Sequence, residues 1–244
     1  METTSKDELV RKYKLKFNPK TGLYDCDGNV RVENDLVKDG RLVIKFGTVK
    51  GDFYYGCNNL SALEGTPSEV GGDFDCSYNK LTSLEGAPKK IGKNFYCNKN
   101  NLTSLEGCPQ SIGGDFDCSH NNLTSLEGTP REVGGWFDCG YNKLTSLEGA
   151  PQMVGGTFYC NKNNLTSLDG APQEVGESFY CDRNRLTSLK GAPREVGGNF
   201  GCSNNKLIYD EAHFYGFLPN VIGGELYADI ECDDELAKTY YKKL

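Results

Sequence analysis

Aspartates are the residues of this sequence whose spacing comes closest to a catalytic pattern. They flank phenylalanines that recur every 21 residues, and they are Asp73, Asp75, Asp115, Asp117 and Asp138. If the repeats stack in parallel, two such carboxylates about 5 Å apart would match the ~5–5.5 Å pair of a retaining glycosidase. That chemistry also needs a cleft that excludes water, which an open sheet does not offer. The Gly-Gly-x-Gly-x-Asp motif of calcium-binding β-helices is absent as well, so we expect neither a catalytic nor a metal site.

Cysteines form a second regular column. Seven of the eleven cysteines lie two residues after a phenylalanine, so both side chains would point to the same side of a strand. A buried free cysteine behaves as a small hydrophobic residue, and no histidine recurs with this column at a zinc-binding spacing. We therefore predict a reduced core ladder and no cofactor, with these members: Cys76, Cys97, Cys118, Cys139, Cys160, Cys181 and Cys202.

Hydroxyl nucleophiles are no better placed than the carboxylates. Thr82 and Ser83 recur as a repeat element with no histidine beside them, so we expect their hydroxyls to bond the turn backbone. His120 belongs to an outward column of tyrosine, lysine and arginine, and we interpret it as a surface contact residue rather than a base. The sequence therefore predicts a protein that is not an enzyme.

The repeat itself predicts the elements that position all these residues. A fixed period of about 20–29 residues indicates a solenoid, in which each repeat buries its apolar edge against its neighbours. Asparagines keep step with the phenylalanines, from Asn58 to Asn205. The phenylalanine column consists of Phe53, Phe74, Phe95, Phe116, Phe137, Phe158, Phe179 and Phe200.

One repeat unit, residues 72–92, illustrates the expected geometry. A short strand near residues 73–77 should pair in parallel with its copies about 4.8 Å away. Asn79 follows the strand, where its side chain can bond neighbouring backbone groups at the bend. Gly86 and Pro88 shape the return segment, and proline prevents a helix there. We therefore expect a mostly irregular convex side with short 3₁₀ turns.

The stretch Phe74-x-Cys76-x-x-Asn79-x-Leu81 resembles the strand-and-asparagine half of a leucine-rich repeat. It is similar to the short, 21-residue type found widely in bacteriophage and bacterial genomes, with Phe and Cys in two leucine positions. The resemblance covers residues 49–207. It implies a leucine-rich-repeat horseshoe or arc, a β-rich solenoid with a parallel concave sheet and little helix on the convex side. It also implies a protein-interaction scaffold.

The amino-terminal end departs from the repeat and is predicted to be a cap over residues 1–31. Ser5 and Glu8 form a capping-box pattern that favours a short helix. Residues 22–32 have the alternation of a hairpin with its turn at Asp27-Gly28. The solenoid then extends over residues 32–207.

The solenoid is predicted to begin with one degenerate repeat, residues 32–51, before the eight regular ones. Val32 falls 21 residues before Phe53, and Val49 falls 21 residues before Val70. We therefore align Val32 with the phenylalanine column and Val49 with the valine that precedes each glycine pair.

The carboxyl-terminal end, residues 208–244, is predicted to be a second cap. Residues 222–228 restart the strand motif 26 residues after its predecessor. The segment 233–243 has acids first and lysines last, which favours a closing helix.

Function is expected where the repeat varies. On each strand the residues before and after phenylalanine, and the residue at the strand end, point outward and differ from repeat to repeat. Exposed tyrosine and tryptophan are enriched at binding hot spots, whereas acids on a sheet can also simply keep it soluble. The predicted partner-binding residues of the concave face are Trp136, Tyr96, Tyr159, Tyr180, Asp73, Asp75, Asp115, Asp117, Asp138, His120, Tyr141, Lys162 and Arg183.

Composition narrows the kind of partner. The formal net charge of -7 and the sequence pI near 5.0 argue against nucleic acid, because phosphate binding needs a basic surface. No run of 18 or more apolar residues exists, and the first residues lack the apolar segment of a secretory signal. We therefore expect a cytoplasmic protein without a membrane partner, in the host cell if it is phage-encoded.

These observations predict a non-enzymatic scaffold that binds a protein with a basic patch. In the setting that the resemblance suggests, it would be a bacteriophage protein that inhibits a host defence protein. The alternative is a structural or assembly protein that self-associates through its tyrosine-rich carboxyl-terminal segment. An effector directed to a host or surface would need a secretion signal, which the sequence does not display.

Overall fold

The computed structural model describes residues 5–208 and 215–229. Over these residues the chain is a parallel β-solenoid of about eight turns, which confirms the β-rich solenoid that the period predicts. It divides into two compact units, Met1–Asn122 with Gly128–Pro130, and Leu123–Glu127 with Arg131–Leu244. Each coil contributes one strand to a front sheet and, in most coils, one to a back sheet.

The front sheet carries the phenylalanines, and its strands pair in parallel and in register. In the first unit Phe74 stands opposite Phe95, and Phe95 opposite Phe116. The strands of the first unit are Val30–Arg31, Phe53–Tyr54, Phe74–Asp75, Phe95–Tyr96 and Phe116–Asp117. Those of the second unit are Phe137–Asp138, Phe158–Tyr159, Phe179–Tyr180, Phe200–Gly201 and Leu226–Tyr227.

The back sheet corrects the expected irregular convex side, because the return segment of the regular repeats is more ordered than predicted. Proline excludes a helix, but the extended backbone finds hydrogen-bond partners one coil away, as when Gly92 N–H donates to Val70 O at 2.9 Å. The strands of the first unit are Lys16–Asn18, Leu23–Cys26, Phe46–Val49, Glu69–Val70 and Lys90–Ile91. Those of the second unit are Glu132–Val133, Met153–Val154, Glu174–Val175, Glu195–Val196 and Val221–Ile222.

The core consists of the repeat columns that do not vary. All eight phenylalanines are fully buried, and neighbouring rings within a unit lie 5.2–5.9 Å apart. The described cysteines are free thiols, which confirms the reduced ladder. Burial raises the pKa of thiols such as Cys139 and Cys160 well above the ordinary value, so they stay protonated and unreactive.

The asparagine column ties successive coils together, as its position after the strand predicts. Asn100 donates from Nδ2 to the carbonyl oxygens of Cys76 and Cys97, at 3.0 and 3.1 Å. Its Oδ1 accepts the N–H of Leu81 at 2.9 Å. One side chain therefore bonds the backbone of two coils, and this arrangement recurs at Asn121.

Glycine is required where the back sheet passes closest to the preceding coil. A Cβ added at Gly176 would lie 2.1 Å from the carbonyl oxygen of Gly155, a backbone atom that cannot swing away. The glycines that precede each front strand therefore set the spacing of the coils rather than mark disorder.

The amino-terminal cap confirms the helix and corrects the hairpin. The helix spans Lys6–Lys12, and Ser5 and Glu8 form the predicted capping box. The hairpin is formed by Lys16–Asn18 and Leu23–Cys26, whereas the predicted turn at Asp27-Gly28 is wrong. That segment instead carries the chain from the back sheet to the front sheet, because Val30 is buried opposite Phe53.

The degenerate repeat also has a different register. Val30, not Val32, stands opposite Phe53, while Val49 stands opposite Val70 as predicted. The longer spacing is absorbed by an excursion that the period does not reveal. It contains the 3₁₀ turn Asn34–Leu36 and the antiparallel strands Val37–Lys38 and Arg41–Leu42.

The carboxyl-terminal partial repeat is confirmed. Leu226 stands opposite Phe200, and Ile222 opposite Val196. A 3₁₀ turn spans Tyr215–Phe217, whereas the predicted closing helix lies outside the described residues. The part of the chain that is described contains no helix long and apolar enough to cross a bilayer.

Candidate functional site

The outer face of the front sheet presents three side-chain columns, and the first of them turns out to support the fold. Asp52 Oδ1 accepts the N–H of Asp73 at 2.9 Å, and Asp73 Oδ1 accepts that of Asn94 at 3.2 Å. Asn94 Oδ1 in turn accepts the N–H of Asp115 at 2.8 Å. Each side chain thus bonds one backbone N–H of the next coil, a role that sequence reasoning did not assign to Asp73.

Trp136 occupies this first column in the second unit but cannot serve it in the same way. Indole carries a donor and no acceptor, whereas Ser178 and Asn199 in the same column accept backbone N–H groups at 2.9 and 2.8 Å. The ring of Trp136 stands half-buried at the outer face. Trp136 is therefore a large aromatic residue at a position where the fold favours a small side chain that accepts a backbone N–H hydrogen bond.

The second column, directly after phenylalanine, contains aspartates that cap the strand end. Asp75 Oδ1 accepts both the N–H and the hydroxyl of Ser77, at 2.9 and 2.6 Å. Asp117 Oδ1 accepts the N–H of Ser119, and Asp138 Oδ1 that of Gly140. The missed signal was the short polar residue or glycine two positions after each acid, which is typical of an Asx turn.

These hydrogen bonds occupy one carboxylate oxygen and leave each aspartate half-buried. Burial raises the pKa of Asp117, and the hydrogen bonds from Ser119 oppose that rise. The acidic column therefore combines a structural role with a negative outer face.

Tyrosines alternate with these aspartates and lie within the electric field of their carboxylates. Burial, followed by the charges of four aspartates, raises the pKa of Tyr96 to about 12, so its phenol is neutral at ordinary pH. The four are Asp115, Asp73, Asp117 and Asp75. The structure thus gathers the predicted acidic residues of the first unit around one aromatic ring.

In the second unit the same column is more aromatic. The rings of Tyr159 and Tyr180 are stacked, with centroids 5.4 Å apart and planes 17° apart. Asp138 stands opposite Tyr159 in register, and burial is the first cause that raises the pKa of Tyr159. This unit presents a tyrosine platform with a carboxylate at its side.

The third column, at the strand end, has a backbone that its side chains do not favour. Every member has a positive φ, between 54° and 60°, in the left-handed region. Glycine and asparagine adopt this region readily, whereas other L-residues are strained there by about 1–2 kcal/mol. The chain nevertheless places large side chains at Tyr78, Lys99, His120, Tyr141, Lys162 and Arg183.

Two pairs in the third column have the same geometry. Lys99 Nζ lies 2.5 Å from the hydroxyl of Tyr78 and 4.3 Å from the centroid of its ring. Lys162 Nζ lies 2.5 Å from the hydroxyl of Tyr141 and 4.2 Å from its ring centroid. Tyr78 and Tyr141 remain 51% and 39% exposed, so each pair is presented to solvent.

Sequence reasoning missed a shallow cavity of about 370 Å³ at the first coil. Its lining includes Arg31, Tyr54, Cys57 and Asp75. The Arg31 guanidinium lies 5.1 Å from the ring centroid of Tyr54. The cavity extends the charged and aromatic outer face toward the amino terminus.

The arrangement can hold polar and aromatic groups of a partner. Within residues 5–208 and 215–229 no cluster of three or more His, Cys, Asp or Glu side chains is placed to hold a metal ion. No family model, curated protein or solved structure matches this chain.

Proposed function

We propose that the protein is a non-enzymatic scaffold that holds a protein partner on the outer face of its front sheet. The observation that carries the proposal is the third column. Tyr, Lys, His and Arg occupy left-handed backbone positions where glycine or asparagine would cost less. Such strain persists where the side chain serves a function.

The chemistry of the face favours a basic partner. Four aspartates surround Tyr96, and the chain carries a formal net charge of -7. Complementary charge accelerates encounter and selects partners, while half-buried aromatic rings supply the binding energy. A cytoplasmic bacteriophage protein that inhibits a host defence protein is the biological setting we propose, because the leucine-rich-repeat resemblance suggests it.

Affinity capture from a bacterial lysate tests the proposal. The double variant Trp136→Ala/Tyr159→Ala should lose the captured protein, because two aromatic contacts are removed from the outer face. A matched control is Phe17→Ala/Met153→Ala, which removes two exposed apolar side chains from the back sheet, 56% and 55% exposed.

The captured protein should also bind more weakly as salt rises, since a charged interface is screened. Capture that survives the front-face double variant, or that only the back-sheet control abolishes, would refute the assignment of this face.

Self-association is the second candidate. Most of the tyrosine-rich carboxyl-terminal segment predicted for it lies outside the described residues, and one observation at the amino-terminal end favours it. The back sheet of the first unit ends in the edge strand Lys16–Asn18, where Phe17 is 56% exposed. Exposed edge strands can pair with a second chain. Light scattering distinguishes the two candidates: a dimer that Phe17→Asp converts to a monomer supports assembly, and a wild-type monomer rejects it.

A further inference from the structure

Two groups of outward residues are the same in the two units. Residues 78–88 recur unchanged at 141–151, and residues 95–105 recur unchanged at 158–168. We define the first cluster as Asp75, Tyr78, Tyr96 and Lys99, and the second cluster as Asp138, Tyr141, Tyr159 and Lys162. Each cluster therefore contains one aspartate, two tyrosines and one lysine at identical spacing.

The two clusters also share their internal geometry. Asp75 stands opposite Tyr96 in register, and Asp138 stands opposite Tyr159. In both clusters the lysine ammonium lies 2.5 Å from a tyrosine hydroxyl and about 4 Å from its ring centroid. Each aspartate uses Oδ1 to cap its strand end.

On the outer face of the front sheet the identity does not extend to every position, although some exposed turn residues such as Glu85 and Glu148 also recur. Around the clusters the outward residues differ between the units: Asp73 corresponds to Trp136, and Ser77 to Gly140. On the back sheet, Lys90 corresponds to Met153. The fold also accepts other residues at the lysine and tyrosine positions, so stacking does not dictate the clusters.

We propose that each cluster binds one arginine guanidinium of the protein partner, and that the two clusters do so in the same way. This inference rests on the proposed function. Each unit then offers one such position. The occupant is a basic protein surface, not a nucleic acid or a membrane.

The chemistry of the cluster fits a guanidinium. A carboxylate has about four acceptor positions, so Asp75 can accept from a guanidinium while Oδ1 still caps its strand. The half-buried ring of Tyr96 beside it offers a surface on which a planar, weakly hydrated cation stacks. The ammonium of Lys99 lies 2.5 Å from the hydroxyl of Tyr78 and 4.3 Å from its ring centroid, so a cation already lies beside the strand-end tyrosine of the same cluster.

The surroundings favour a cation at each cluster. In the first unit Asp73, Asp115 and Asp117 add negative charge around Tyr96, and in the second unit Glu177 acts on Tyr159. The cluster lysine places a positive charge at the strand end of each site. That charge repels any guanidinium, so we expect the arginine to bind at the aspartate and its neighbouring tyrosine rather than at the strand end.

Fluorine NMR of the full chain labelled with 3-fluorotyrosine tests the proposal. The chain has 14 tyrosines, and Tyr96→Phe and Tyr159→Phe assign the two reporter signals. The probe is the peptide acetyl-Gly-Arg-Gly-amide, compared with its lysine and glutamate counterparts. We expect saturable shifts at both reporters, with binding of the lysine peptide about five-fold weaker because it loses planar stacking.

Isosteric variants separate the two positions. Asp75→Asn should abolish the response of Tyr96 and leave that of Tyr159, and Asp138→Asn should do the reverse, because each substitution removes the negative charge that binds the guanidinium. Asparagine keeps the Oδ1 acceptor that caps the strand, so the fold should be retained. Glu85→Gln and Glu148→Gln are the matched controls, since they remove a charge from equivalent exposed turns outside the front sheet. Both controls should leave the two responses unchanged.

The proposal is overturned if neither reporter responds, if only one responds, if the lysine peptide binds as tightly, or if the asparagine variants respond like wild type. Failure here is distinct from failure of the proposed function. A captured partner that depends on Trp136 and Tyr159, without any arginine response, removes this inference and leaves the scaffold. Arginine responses at both reporters without a front-face-dependent partner would establish the two guanidinium positions but refute the protein-partner scaffold, and with it the role that we assign to them.

Discussion

Replacing Asn100 by alanine tests the hydrogen-bond ladder that links the coils. The side chain is 7% exposed and bonds Leu81 N–H, Cys76 O and Cys97 O. Its neighbour Asn101 is exposed and chemically identical, so Asn101→Ala is the matched control.

The lost bonds, which also include a long one to the carbonyl oxygen of Asn98 at 3.4 Å, do not have equal cost. Cys76 O still accepts from Asn79 and Cys97 O from Asn121, at 3.1 Å each. Only the buried N–H of Leu81 is left without its acceptor, which costs about 1–3 kcal/mol. The two weakened carbonyls add about 0.5–1.5 kcal/mol each. The expected loss of unfolding free energy is therefore about 2–6 kcal/mol, against about 0.5 kcal/mol or less for Asn101→Ala.

Hydrogen exchange is the appropriate assay, because a repeat array can open locally and need not unfold in two states. The amide of Leu81 should exchange faster in Asn100→Ala, and urea unfolding should give the change in stability. If Asn100→Ala and Asn101→Ala have the same stability and the same exchange at Leu81, the ladder does not hold the coils together.

Three further outcomes are expected. Gly176→Ala should lower the melting temperature by several degrees, because the new Cβ would meet a backbone oxygen at 2.1 Å; an unchanged melting temperature would contradict this packing. Lys16 and Lys50 hold the pKa of Asp27 at about 2, so the stability they provide is complete above the unfolded pKa and is lost as pH falls toward 2. Asp27→Asn should flatten the acid limb of the urea-unfolding profile, and an unaltered limb would exclude the ion pairs. Tyr78→Gly should keep the unfolding free energy within about 1 kcal/mol, because released backbone strain offsets the entropy of glycine, yet weaken capture of the partner; unchanged capture would count against the third column.

The sequence predicted the core of each coil because one-dimensional stacking converts a sequence period into contacts. Phe137 and Phe158 recur one period apart, and their rings lie 5.2 Å apart. The same logic placed Cys139 and the asparagines correctly. It failed at Val32, because the longer first coil contains an excursion that no periodicity marks.

The candidate site was predicted only in outline. Alternation on a strand placed Trp136 and Tyr159 in outward columns, but it could not reveal that Asp73 and Asp75 support the backbone with one oxygen. Such roles depend on which N–H groups lack a partner after the coils stack. The hairpin at Asp27-Gly28 failed for a related reason, since alternating residues also suit a coil that passes between two sheets.

The sequence by itself determined the solenoid, its inward columns and the strand-end position of residues such as Tyr141. A 21-residue period leaves one way for identical apolar edges to be buried, namely against their own copies. Only the tertiary structure decided the back-sheet strands, the left-handed backbone under Tyr141 and the pairing of Lys162 with its ring. Those features depend on hydrogen bonds and side-chain contacts between coils, and a partner one coil away exists only after the chain has folded.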